Sequence, residues 1–116
     1  MTVLFLALVI MRAELLDKAT PQFVAKRNPL AGQERARRAG AKLYNRECAG
    51  CHGQRGEGFG HAPPLNQPRV QSAPPGALFW ILRNGSLKSG MPSFAHLPDI
   101  QRWQIVTYLQ SLPLSH

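Results

Sequence analysis

The sequence predicts a small all-α domain, and three observations carry that reading. Apolar residues recur at helical spacing in two stretches, 33–47 and 98–112. No stretch alternates apolar and polar residues convincingly enough for a strand. Residues 53–75 hold Gly53, Gly56, Gly58, Gly60, Pro63, Pro64, Pro68, Pro74 and Pro75, a density that leaves room only for an irregular wrap.

Taken in order, residues 1–31 read apart from the rest. The apolar run at 3–11 is about half of the roughly 20 residues that a membrane-spanning helix requires. Its length suits the centre of a secretory signal, although no basic residue precedes it and Met11-Arg12-Ala13 is a poor cleavage site. The expectation is a signal or anchor remnant. Residues 20–32 carry Pro21, Pro29 and Gly32 without apolar periodicity and are expected to form a linker, leaving 32–116 as the domain.

Within that domain, the helix at 33–47 sets Arg35, Arg38, Lys42 and Arg46 on one face and Gly40, Leu43 and Tyr44 on the other. Gly40 is expected to let this helix approach the last one closely, with Tyr44 beside it. A short apolar helix at 77–83 is opened by Pro75 and stopped by Asn84-Gly85, because glycine tolerates the left-handed backbone that ends a helix. A loop through Met91-Pro92 follows. Pro98-Asp99 then starts the last helix, proline suiting its first position and the acid its positive dipole end, with Ile105, Tyr108, Leu109 and Leu112 as the apolar stripe. Trp103 lies off that stripe.

At 116 residues the chain makes one domain at most. Below roughly 80 residues a hydrophobic core tends to need a metal, a disulfide or a bound prosthetic group as a staple. Fourteen Lys and Arg against six Asp and Glu leave a net charge of +8, which favours an acidic partner. Aromatic residues make up only 8% and no RNA-binding motif or zinc-finger spacing is present, so nucleic acid is set aside.

The chemistry concentrates in Cys48-Ala49-Gly50-Cys51-His52, which holds the only two cysteines of the chain. Two thiols at this spacing can add across the two vinyl groups of a haem, and the next residue then delivers an imidazole to the iron from the same side. A zinc site would recruit Cys48, Cys51 and two of His52, His61, His96 and His116, but it leaves the Cys-His adjacency unexplained. A dithiol redox couple wants a strand before the motif, where the sequence offers a helix.

Over about residues 36–112 the chain resembles the class I cytochrome c family. The resemblance rests on Gly40-x-x-x-Tyr44 ahead of the Cys-x-x-Cys-His-Gly run, on Ala62-Pro63-Pro64-Leu65, Asn84-Gly85 and Gly90-Met91-Pro92, and on Ile105-Val106-Thr107-Tyr108-Leu109. It implies the small cytochrome c fold, three main helices and irregular loops around one covalent haem c. It also implies Cys48 and Cys51 as anchors and His52 and Met91 as axial ligands to iron. Met91 is the only methionine after the motif, and Pro92 biases its backbone towards extended geometry; His61 and His96 are the rival ligands.

Metal-bound histidine normally gives its other ring N–H to a carbonyl, and the resemblance points to Pro63 or Pro64 as that acceptor. Trp80, Arg69 and Arg83 are candidates to reach the haem propionates. The function implied is single-electron transfer, not catalysis, by a monomer or a complex subunit outside the cytoplasm, in the periplasm or facing it at the inner membrane; the alternatives are the electron-accepting subunit of a dehydrogenase or oxidase complex and a haem-based ligand sensor or peroxidase in which Met91 leaves the iron. Expected partners are acidic redox proteins, among them a dehydrogenase or terminal oxidase, with membrane association through the N-terminus. The basic face of Arg35, Arg38, Lys42 and Arg46 would steer such a partner.

Overall fold

The computed structural model describes residues 19–60 and 62–113. The apolar run at 3–11, His61 and His116 lie outside them. The chain order is α1 (Pro21–Val24), α2 (Glu34–Glu47), α3 (Ala49–His52), α4 (Pro68–Gln71), α5 (Pro75–Asn84), one 3-10 turn (Leu87–Ser89) and α6 (Asp99–Leu109). Among the described residues β structure is confined to two isolated bridges, Phe59 with Ala62 and Ser86 with Met91. The fold is therefore all-α, with α2, α5 and α6 as its main helices. No helix among these residues is long and apolar enough to cross a membrane.

Local chemistry explains where the helices begin and end. Glu34 opens α2 and receives the Arg37 guanidinium one turn later, with Arg46 in the last turn; both ends thus complement the helix dipole. Pro75 opens α5, and Gly85 at φ 63° ends it. Asp99 opens α6, where Arg102 pairs with it.

The frame is the crossing of α2 and α6. A Cβ on Gly40 would lie 1.9 Å from the Gln104 carbonyl oxygen, so only glycine permits this approach. Ala36, Leu43 and Tyr44 complete the buried face of α2, and Tyr44, Ile105 and Val106 are the largest fully buried side chains. Each contributes roughly 1.5–3 kcal/mol through burial. On the other side of α6, Trp103 stacks on Phe79 of α5 with ring centroids 4.1 Å apart. Trp103 is thus core between α5 and α6, and Tyr108, placed on the stripe by the sequence, is only half-buried.

Residues 20–32 differ from the expected linker. Phe23 stacks on Phe79 at 6.2 Å, and a Cβ on Gly76 would lie 1.6 Å from the Phe23 carbonyl oxygen. The Asn28 side chain donates to Thr107 Oγ1 at 2.8 Å, and Leu30 packs against the core. The segment is a strap lying across α5 and α6.

Candidate functional site

The two cysteines and His52 fall around the short helix α3, directly after α2. Cys48 caps both helices and is buried, Cys51 is exposed and His52 is half-buried. Burial, together with the nearby Glu47 and Cys51, pushes the Cys48 thiol up to about 12. Helix α3 ends at Gly53, whose φ of 87° and ψ of 156° a side chain would strain.

The loop from Gly53 to Asn66 folds back over His52 through main-chain bonds. Gly58 N–H donates to the His52 carbonyl at 2.8 Å, and Gly56 N–H donates to that of Gly53 at 3.2 Å. Leu65 and Asn66 N–H both donate to the Gly56 carbonyl, at 2.6 and 3.2 Å. The result brings the Pro63 carbonyl oxygen to 3.1 Å from His52 Nδ1. A carbonyl can only accept, so Nδ1 carries the proton and Nε2 keeps its lone pair for another partner. The Pro64 carbonyl instead accepts from the Gln67 side chain at 2.7 Å.

Met91 sits at the base of a tight loop. Ser86 and Met91 exchange both main-chain bonds at 2.9 Å, and the Ser86 hydroxyl accepts from Ser89 N–H at 3.3 Å. The Met91 side chain is partly buried against the core, and Pro92 follows it. At the loop's tip stand Leu87, 96% exposed, and the exposed Lys88. Trp80 lies half-buried on α5, off the face formed by Gly76, Ala77, Leu78, Phe79 and Leu82. Arg69 is exposed on α4. Arg83 lies 5.5 Å from the Phe23 ring centroid, and His96 is exposed with its ring 6.0 Å from that of Phe94. Of the expected site residues, then, the structure brings Pro63 to His52 by a direct hydrogen bond.

The donor set suits a covalently attached haem. Two thiols flank one helical turn, the neighbouring imidazole has its tautomer fixed with Nε2 available, and a thioether is held on a stapled loop. It suits zinc less well, since among the described residues no three His, Cys, Asp or Glu gather in a metal-holding group.

Sequence reasoning missed the polar contacts of three residues near this site or its frame. The Tyr44 hydroxyl donates to the Gly53 carbonyl at 2.5 Å; its aromatic ring was legible from α2 periodicity, its polar end was not. Glu57 accepts from Arg55 N–H at 2.8 Å and packs over Gly53. Arg102, only 4% exposed, donates to the Leu97 carbonyl at 3.3 Å, pairs with Asp99 and lies 4.7 Å from the Phe79 ring centroid.

Comparison with known proteins agrees with the all-α fold. A family model described as cytochrome C oxidase, cbb3-type, subunit III matches residues 35–109. Among solved structures, the chain is similar to cytochrome CL from the marine methylotrophic bacterium Methylophaga aminisulfidivorans, at 25% identity and a TM-score of 0.64, over 73% of this chain. The match spans 58% of that protein's length. No curated protein matches.

Proposed function

We propose a function from one premise: this chain belongs to the c-type cytochrome family described as cytochrome C oxidase, cbb3-type, subunit III, which makes it an electron-transfer haem protein of class I. Cys48 and Cys51 would hold one haem c through thioethers, and His52 and Met91 would supply the ligands to its iron. When bound, the haem supplies the one-electron couple. The chain's residues would attach it, orient the imidazole and supply the thioether, so that protein side chains rather than a substrate would ligate the metal.

The observation that carries this reading is the His52 Nδ1–H bond to the Pro63 carbonyl, 3.1 Å long. It fixes the ring with Nε2 as the free donor atom and raises its basicity. The stapled Ser86–Met91 loop and the extended bias imposed by Pro92 support the thioether as the second ligand. His/Met ligation gives a higher potential than bis-His ligation, which suits a carrier late in an electron chain.

The site of action is the periplasm or the periplasmic face of the inner membrane. The partners are acidic redox proteins, drawn by the net charge of +8 and meeting the exposed Leu87 and Lys88 beside Met91. A second reading, a cytochrome subunit held in an oxidase or dehydrogenase complex, is favoured by the description of the matching family as an oxidase subunit. Copurification of a larger redox enzyme with the chain would choose that reading over the free carrier.

Met91→Ala tests the ligand set. The expected variant keeps its covalent pigment, loses the absorption band between thioether sulfur and oxidised iron at the red end of the spectrum, drops in potential and binds carbon monoxide when reduced. An unchanged spectrum would assign the second axial position to another residue.

A further inference from the structure

Tyr44 is fully buried in the α2–α6 crossing, where its ring lies 5.3 Å from that of Tyr108. A phenylalanine would fill that space equally well. Its hydroxyl nevertheless reaches out of the frame to the Gly53 carbonyl, the first residue after His52, at 2.5 Å. Burial, with the nearby Cys48, Tyr108 and Glu57, holds the phenol well above its ordinary pKa, so it stays a donor.

Gly53 is where the loop turns away from α3, and its carbonyl takes a second bond from Gly56 N–H. From Gly56 the bonding continues through its own carbonyl to Leu65 and Asn66, the residues just beyond Pro63 and Pro64. The loop has little slack there, since a Cβ on Gly58 would lie 2.9 Å from the Pro64 nitrogen. One continuous path of hydrogen bonds and backbone therefore joins Tyr44 to the carbonyl that orients His52. The Tyr44 hydroxyl is the one side-chain hydrogen bond from α2 into that loop among the described residues.

We infer that Tyr44 is a positioning residue for the axial histidine: its hydroxyl ties the Gly53–Asn66 loop to the helical frame and thereby holds the Pro63 carbonyl on His52 Nδ1–H. This rests on the reading of His52 as the haem ligand. That reading is checked first and separately, by the covalent haem spectrum of the parent protein.

The test is Tyr44→Phe in the reduced holoprotein, with Tyr108→Phe as control, measured by NMR hydrogen exchange. Loss of the hydroxyl should speed exchange of His52 Nδ1–H and the Gly58 amide by tenfold or more relative to amides in the middle of α2 and α6. Tyr108→Phe should leave that ratio within twofold of the parent's. Acceleration by one common factor in loop and helices would mean that Tyr44 supports only global stability, and would overturn the proposal, as would no acceleration of the loop. If Tyr44→Phe yields too little holoprotein, the parent decides: His52 Nδ1–H and the Gly58 amide should share one opening equilibrium and one denaturant dependence. Two separate openings would overturn it.

Discussion

The α2–α6 crossing and the loop over His52, which follows α2 in the chain, are held by different physics. The crossing is dry: Gly40 lies against the Gln104 carbonyl and Tyr44, Ile105 and Val106 are sealed from solvent, while on the far side of α6 Trp103 stacks on Phe79 of α5. The loop buries few apolar side chains and is tied by main-chain donors and by the Tyr44 hydroxyl. Packing free energy scales with buried area, while each hydrogen bond is worth only about 1 kcal/mol net. The frame should therefore set whether the chain folds, and the loop should set how the imidazole is held.

Substitutions can break that contrast, beginning with the frame. Trp103→Ala removes the ring that joins α6 to α5 and should cost about 3–5 kcal/mol in chemical denaturation of the holoprotein. Gly40→Ala forces the Gln104 backbone away and should cost about 1–3 kcal/mol, occasionally more. Either variant that still folds should keep the visible spectrum of the parent. A loop variant should do the reverse: Tyr44→Phe should cost only about 0.5–1.5 kcal/mol globally while loosening the loop.

Acid should act on the loop through Glu57. The Glu57 carboxylate is held below its ordinary pKa by hydrogen bonds from its own backbone N–H and that of Arg55, aided by the Arg55 charge. With the folded pKa below the unfolded one, its stabilising contribution is complete above the unfolded value and is lost as pH falls through the folded one. Exchange of loop amides, corrected for intrinsic chemistry, should rise across that window in the parent and stay flat in Glu57→Gln. The smallest effect on folding is expected at the exposed tip, where Leu87→Ser and Lys88→Glu should change stability by no more than about 0.5 kcal/mol. Both should slow electron transfer to an acidic redox protein in stopped-flow mixing, Lys88→Glu with a weaker salt dependence.

The same contrast explains what could be seen in the sequence. The long helix at 34–47, the helix stop at Gly85, the Asp99 start and the close approach at Gly40 all leave local marks in periodicity, capping and composition. The Cys-Ala-Gly-Cys-His run needed no fold to be read as chemistry, because its reactive groups are contiguous. Helix α6 was harder. It is packed by α2 on one side and α5 on the other, so Arg102, Trp103, Ile105, Val106 and Leu109 are all buried and no single stripe describes it. Arg102 escapes notice because burial of a charge depends on tertiary partners, here Asp99, the Leu97 carbonyl and the Phe79 ring.

The strap at 20–32 was invisible for a related reason. One aromatic ring, one side-chain amide and a backbone approach at Gly76 hold it, and none of these has a period. The site loop sits between these cases: glycine and proline announced irregular chain, but which carbonyl meets His52 depends on bonds between residues such as Gly56 and Leu65. The family resemblance points to Pro63 or Pro64 as the acceptor, and only the folded loop separates them.

The most direct test is the colour of the chain after acid-acetone extraction of the purified protein. Thioether attachment through Cys48 and Cys51 predicts that the haem spectrum stays with the polypeptide and that nothing coloured enters the solvent. A colourless polypeptide would contradict covalent attachment, and with it the assignment of this chain as a haem c electron carrier.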